Sequence, residues 1–99
     1  MKISKTTLNM ALKRGIEIVI EEGIGHDGET LVCFWDNRNE SAGEWMFSYA
    51  VANDGSLYWN GNVYLPQEIK EELPGTIQSE QVLREVVIFL STQLHKVEC

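Results

Sequence analysis

Apolar and polar positions along the chain change period several times, and each change marks an element. In residues 4–14, Leu8, Ala11 and Leu12 form a narrow apolar stripe at helical spacing. Ser4 suits the N-cap, and Ile3 and Leu8 occupy the two positions of a hydrophobic staple. Lys13 and Arg14 fall in the last turn, where they complement the negative end of the dipole, and Gly15 ends the helix. The pattern then switches to period two. Ile16, Ile18 and Ile20 alternate with Glu17, Val19 and Glu21, which predicts a strand over 16–22. After the glycine-rich connection GIGHDGE comes TLVCFWD, residues 30–36, apolar on both faces and therefore a central or doubly covered strand. A third strand spans 44–52.

The turn after that strand decides which aromatic residues share a face. A two-residue loop at Asp54-Gly55 sets Tyr49 opposite Asn60. A three-residue loop, Asn53-Asp54-Gly55, sets Val51 opposite Leu57 and Tyr49 opposite Trp59. The second arrangement gathers Trp45, Phe47, Tyr49, Val51, Leu57 and Trp59 on one face, and the best segregation of apolar groups selects it. After Asn60-Gly61, the triplet VYL is read as a short last strand. Pro66 opens a small helix, PQEIKEEL, that Pro74-Gly75 stops. The remainder is a long helix capped by Ser79. Leu83, Val87, Leu90, Leu94 and Val97 line its apolar stripe, widened by Val82, Val86 and Phe89.

The expected order is thus α-β-β-β-(β)-α-α in one domain, residues 1–99. The fold class is α+β, a two-layer sandwich with an antiparallel sheet of three to four strands and helices on one face. The longest apolar run, VVIFL, is far too short for a membrane span, and the N-terminus lacks the apolar core of a signal peptide. Those features predict a cytoplasmic protein with no membrane partner. Cys33 and Cys99 do not make a disulfide framework, and both are expected to be reduced.

Charge narrows the partners. The net charge is −7, and it is unevenly spread: Lys2, Lys5, Lys13 and Arg14 precede the first acidic residue. From residue 15 onward four basic side chains face fifteen acidic ones, a balance of −11. Such a body repels phosphate backbones, which excludes direct nucleic-acid binding.

No catalytic constellation emerges. His26-Asp27 lies in a glycine-rich turn with no nucleophile implied, and GIGHDG joins two strands without the Lys-Ser/Thr or helix of a phosphate loop. His95 and Cys99 share a helical side, and His26 and Cys33 would have to complete a zinc set that nothing in the spacing demands. No metal, cofactor or catalytic residue is expected.

The sheet face away from the helices is the candidate site. In the chosen register it carries Glu17, Val19, Glu21, Phe34, Met46 and Tyr58, with Asp36 and Glu44 at its rim. An apolar centre with a charged rim is the anatomy of a protein interface. The expected function is that of a small acidic accessory protein, non-enzymatic, that docks a protein partner or a second copy of itself as a homodimer. An inhibitor or immunity factor against a basic partner, or a mobile-element accessory, is its natural form. The alternative is a small-molecule-binding domain or minor enzyme, with a pocket between helices and sheet lined by Trp35, Trp59 and Tyr49.

Overall fold

The computed structural model describes residues 2–38 and 43–96, with the backbone alone for His95 and Lys96. Helix α1, Lys5–Lys13, starts at Ser4, whose hydroxyl accepts from the Thr7 N–H at 3.3 Å. It ends at Arg14 and Gly15. Gly15 has φ +81°, so the backbone calls for glycine, and a Cβ there would push aside the flexible Arg38 side chain 2.6 Å away.

Strands β1 (Ile16–Glu21), β2 (Leu31–Asp36), β3 (Phe47–Val51), β4 (Leu57–Asn62) and β5 (Thr76–Ile77) form one antiparallel sheet in sequential order. Helix α2, Gln67–Lys70, and helix α3, Glu80–Lys96, complete the α+β fold. The β3–β4 hairpin has the three-residue loop. Val51 pairs with Leu57 and Tyr49 with Trp59, while Gly55 takes φ +89°. Asp54 locks the turn by accepting from both the backbone N–H and the hydroxyl of Ser56, at 2.9 and 2.6 Å.

Two expectations about extent are corrected. VYL is not a strand: β4 ends at Asn62, whose side chain bonds both the N–H and the C=O of Leu65 and turns the chain toward α2. A fifth strand instead comes from Thr76–Ile77, after Pro74-Gly75. Ile77 pairs with Leu57 and is fully buried, and the Trp59 N–H bonds the Gly75 carbonyl at 2.8 Å.

The core lies between one face of the sheet and the helices. Ile16, Ile18, Val32, Phe34, Phe47, Tyr49 and Leu57 from the sheet meet Ala11 of α1, Ile69 of α2, and Leu83, Val86, Val87 and Leu90 of α3. Stacked rings run through it: Phe34 on Phe47 at 4.6 Å and Phe47 on Trp59 at 5.6 Å, with Tyr49 edge-on to Trp59 at 5.5 Å. Most of the aromatic cluster is therefore interior. Tyr49 reaches out of it by one bond, its hydroxyl donating to the Pro74 carbonyl at 2.5 Å, which ties the α2–β5 connection to the sheet.

The N-termini of α1 and α3 are joined by a polar knot. One oxygen of Glu80 accepts from the Ser4 N–H (2.5 Å) and the Thr7 hydroxyl (2.8 Å). The Arg84 Nε donates to that same hydroxyl at 2.9 Å, and its Nη2 lies 3.6 Å from the other Glu80 oxygen. Thr7 is completely buried, so the knot satisfies a hydroxyl that would otherwise be costly. The Ser4 N–H first, then the Ser4 and Thr7 hydroxyls and the Arg84 charge, pull the Glu80 carboxyl down to about 2.

Candidate interface on the outer face of the sheet

The second sheet face carries no helix, and strand register places its residues in three rows. Glu21, Leu31, Ala50, Tyr58 and Thr76 form one row across all five strands. Val19, Cys33, Ser48 and Gly61 form the next, with the Asn60 side chain donating to the Ser48 hydroxyl at 3.0 Å. Glu17 and Trp35 begin the third, where Trp35 meets Trp45 edge-on at 6.3 Å.

Of the residues expected on this face, Glu17, Val19, Glu21 and Tyr58 are there. Phe34 and Met46 are not. The β1–β2 register sets Phe34 opposite Ile18, so Phe34 joins the isoleucine face and is fully buried in the core. The strand is apolar on both faces: Val32 and Phe34 go inside with the isoleucines, while Leu31, Cys33 and Trp35 go out. Met46 is drawn inward by a bulge. The Phe34 carbonyl accepts from the Met46 N–H at 2.8 Å although Phe34 pairs with Phe47, so two consecutive residues oppose one. Met46 and Phe47 both enter the core, and alternation resumes with Trp45 packed on the outer face. Asp36 sits opposite Ile16 and shares its side of the sheet, its carboxylate accepting from the Arg38 N–H at 3.1 Å. Glu44 is exposed beside Trp45. Burial first, then the charges of Asp36 and Glu44, raises the Tyr64 hydroxyl above its ordinary range.

Trp35 and Trp45 are thus outer-face residues that strand alternation alone assigned to the core. The signal that finds them is the register of β2 against β1 together with the extra residue Met46 just before β3. Leu31, Cys33, Ser48 and Ala50 make a floor of almost no exposure beneath the larger side chains around them. Trp35 Nε1 is buried without a hydrogen-bond partner among the described residues. Tyr58, 40% exposed, stands above the floor on one side, and Glu17, Val19 and Glu21 stand on the other.

Burial, with the charge of Glu21 second, pushes the Cys33 thiol up to about 11, which removes it as a nucleophile at neutral pH. His26 and Asp27 are both exposed in the β1–β2 loop, and the Asp27 N–H is held by Glu29 Oε1 at 3.1 Å. No group of three or more metal-ligating side chains occurs among the described residues, and Cys99 lies outside them, as does the expected stripe residue Val97. No described helix is long and apolar enough to cross a membrane.

The pocket expected from Trp35, Trp59 and Tyr49 does not form. Trp35 is on the opposite side of the sheet, and Tyr49 is sealed in the ring stack. Two hollows lie elsewhere among the described residues: one of about 220 Å³ between α3 and residues 72–74, and one of about 360 Å³ at the end of the sheet beneath residues 2–3. No family model, curated protein or solved structure matches this chain.

Proposed function

We propose that this protein is a non-enzymatic binding module that docks a basic protein surface against the helix-free face of its sheet. The observation that carries this reading is the arrangement of that face: a floor of buried side chains, with Val19 and Tyr58 raised above it and Glu17 and Glu21 alongside. Glu17 and Glu21 are about 13 Å apart along β1 with Val19 midway, a spacing that meets basic groups on either side of an apolar anchor. The excess of acidic residues after position 15 steers a basic partner toward the module and weakens with salt. An inhibitor or immunity-type factor, or an accessory protein of a mobile element, has these needs.

The test places a photo-crosslinking side chain at Val19 or Tyr58, with Glu85 on α3 as the control position. The reading expects a discrete protein adduct from the two outer-face sites, none from Glu85, and loss of the adduct in a Glu17→Lys/Glu21→Lys variant. Adducts from Glu85 alone would move the interface to the helices. Light scattering of the purified protein separates a foreign partner from self-docking. Association of two copies through this face strengthens as salt screens the repeated glutamates, whereas docking to a basic partner weakens.

A further inference from the structure

We infer that the hollow at the end of the inner sheet face is a binding site for a small amphiphilic anion, a medium-chain carboxylate being its simplest form. Helical cover of the inner face fades along β1: Ile16 is 1% exposed, Ile18 8% and Ile20 47%, although all three point the same way. Val32, the partner of Ile20, is 1% exposed, so the uncovered apolar surface lies at the β1 edge of this row. The hollow occupies this gap, about 360 Å³ bounded by Ile3, Ile20, Val32, Val51 and Leu57, with Thr30 and Lys2 as its polar members. That volume falls within the range of ligand sites, and apolar walls with few polar groups are their usual composition.

Charge selects the sign of the ligand. Lys2 is the sole charged residue of the lining. Three nearby carboxylates are directed or engaged elsewhere, while Glu22 is exposed just beyond the end of β1. Alternation turns Glu21 to the outer face, Glu29 holds the Asp27 N–H, and Glu80 is held by Ser4, Thr7 and Arg84. In a chain of net charge −7, this is a place where an anionic head meets a cation beside an apolar wall. Thr30 adds a side-chain hydroxyl to the lining, and its backbone carbonyl accepts from the Val51 N–H. A space of about 360 Å³ that is half open to solvent accepts part of an acyl chain, with its head at the rim.

The experiment is a methyl-NMR titration of the full chain with hexanoate, octanoate and decanoate, and with 1-octanol as the uncharged probe. Saturable shifts are expected at the methyls of Ile3, Ile20, Val32, Val51 and Leu57, with affinity rising about fourfold per added methylene from hexanoate to octanoate. Octanoate is expected to bind about three- to tenfold more tightly than octanol, and Lys2→Ala to erase that difference while octanol binding persists. Ile20→Trp fills the hollow from a position that is nearly half exposed, so the fold survives and binding is lost. Absence of shifts, shifts spread over unrelated apolar surface, equal binding of octanol and octanoate to the parent, or unchanged binding by Ile20→Trp each overturns the site. None of these results bears on the outer face, whose test is separate.

Discussion

Replacing Tyr49 by Phe removes one oxygen from the centre of the fold and leaves its ring in place. The ring is fully buried and keeps its edge contact to Trp59 at 5.5 Å and its contacts to Phe34 and Phe47, each at 6.0 Å. What disappears is the 2.5 Å bond to the Pro74 carbonyl, which anchors the segment leading into β5. A neutral hydrogen bond contributes about 1 kcal/mol net, and a fully buried orphan acceptor adds about 1–3 kcal/mol. Pro74 is half-buried, so water partly replaces the lost donor and the low end applies. The expected loss is about 1.5 kcal/mol, a tenth to a third of the stability of a typical domain. It should lower Tm by about 6–12 °C. Urea unfolding followed by tryptophan fluorescence checks it directly, because Trp59 lies against the altered ring; the midpoint should fall at unchanged m. A second readout uses pH. Burial pushes the Tyr49 hydroxyl up from 10.0 to about 12. The folded pKa exceeds the unfolded one, so this group's stabilisation is complete below pH 10 and is lost as pH rises toward 12. The Phe variant should therefore lose less stability than the parent over that window. A midpoint change worth under about 0.3 kcal/mol, or an identical alkaline profile, would refute the role assigned to the hydroxyl.

The other predictions concern the polar knot, the thiol, the two sheet faces and the charge. Glu80 has a folded pKa of about 2 against an ordinary 4.5, so its stabilisation is present above pH 4.5 and lost as pH falls toward 2. Glu80→Gln should melt below the parent at pH 7, and the two melting curves should converge near pH 2; parallel profiles would contradict the knot. In a Cys99→Ser background, Cys33 should react with a disulfide reagent at pH 8 at least about a hundredfold slower than in urea, given a thiol raised from 9.0 to about 11 and no exposure. Phe34→Glu should abolish cooperative folding by burying a charge in the ring stack, whereas Tyr58→Glu should shift stability by no more than about 0.5 kcal/mol; circular-dichroism melts compare them. Anisotropy titrations with duplex DNA at physiological salt should show no micromolar binding, because the basic residues before position 15 face a body of −11.

Local chemistry decided the elements, and tertiary contact decided their sides. The ends of α1 follow from Ser4 and Gly15, the stripe of α3 from leucines and valines spaced along one helical face, and the β3–β4 register from Asn53-Asp54-Gly55. Each signal acts within a few residues, so the sequence carries it whole. β2 is different. With apolar side chains at both parities, nothing local distinguishes Phe34 from Cys33, and pairing with β1 chose. Trp45 changed sides because a bulge at Met46 added a residue to the count, a feature defined by two strands and not by one. β5 is two residues long and exists because β4 presents an edge to Thr76–Ile77; alone it has no periodicity to read. The outer face was accordingly legible in β1 and at Tyr58, where polar and apolar positions alternate around it. It was illegible at Phe34, Met46, Trp35 and Trp45, where an apolar side chain satisfies either face until its partner strand fixes which one is covered.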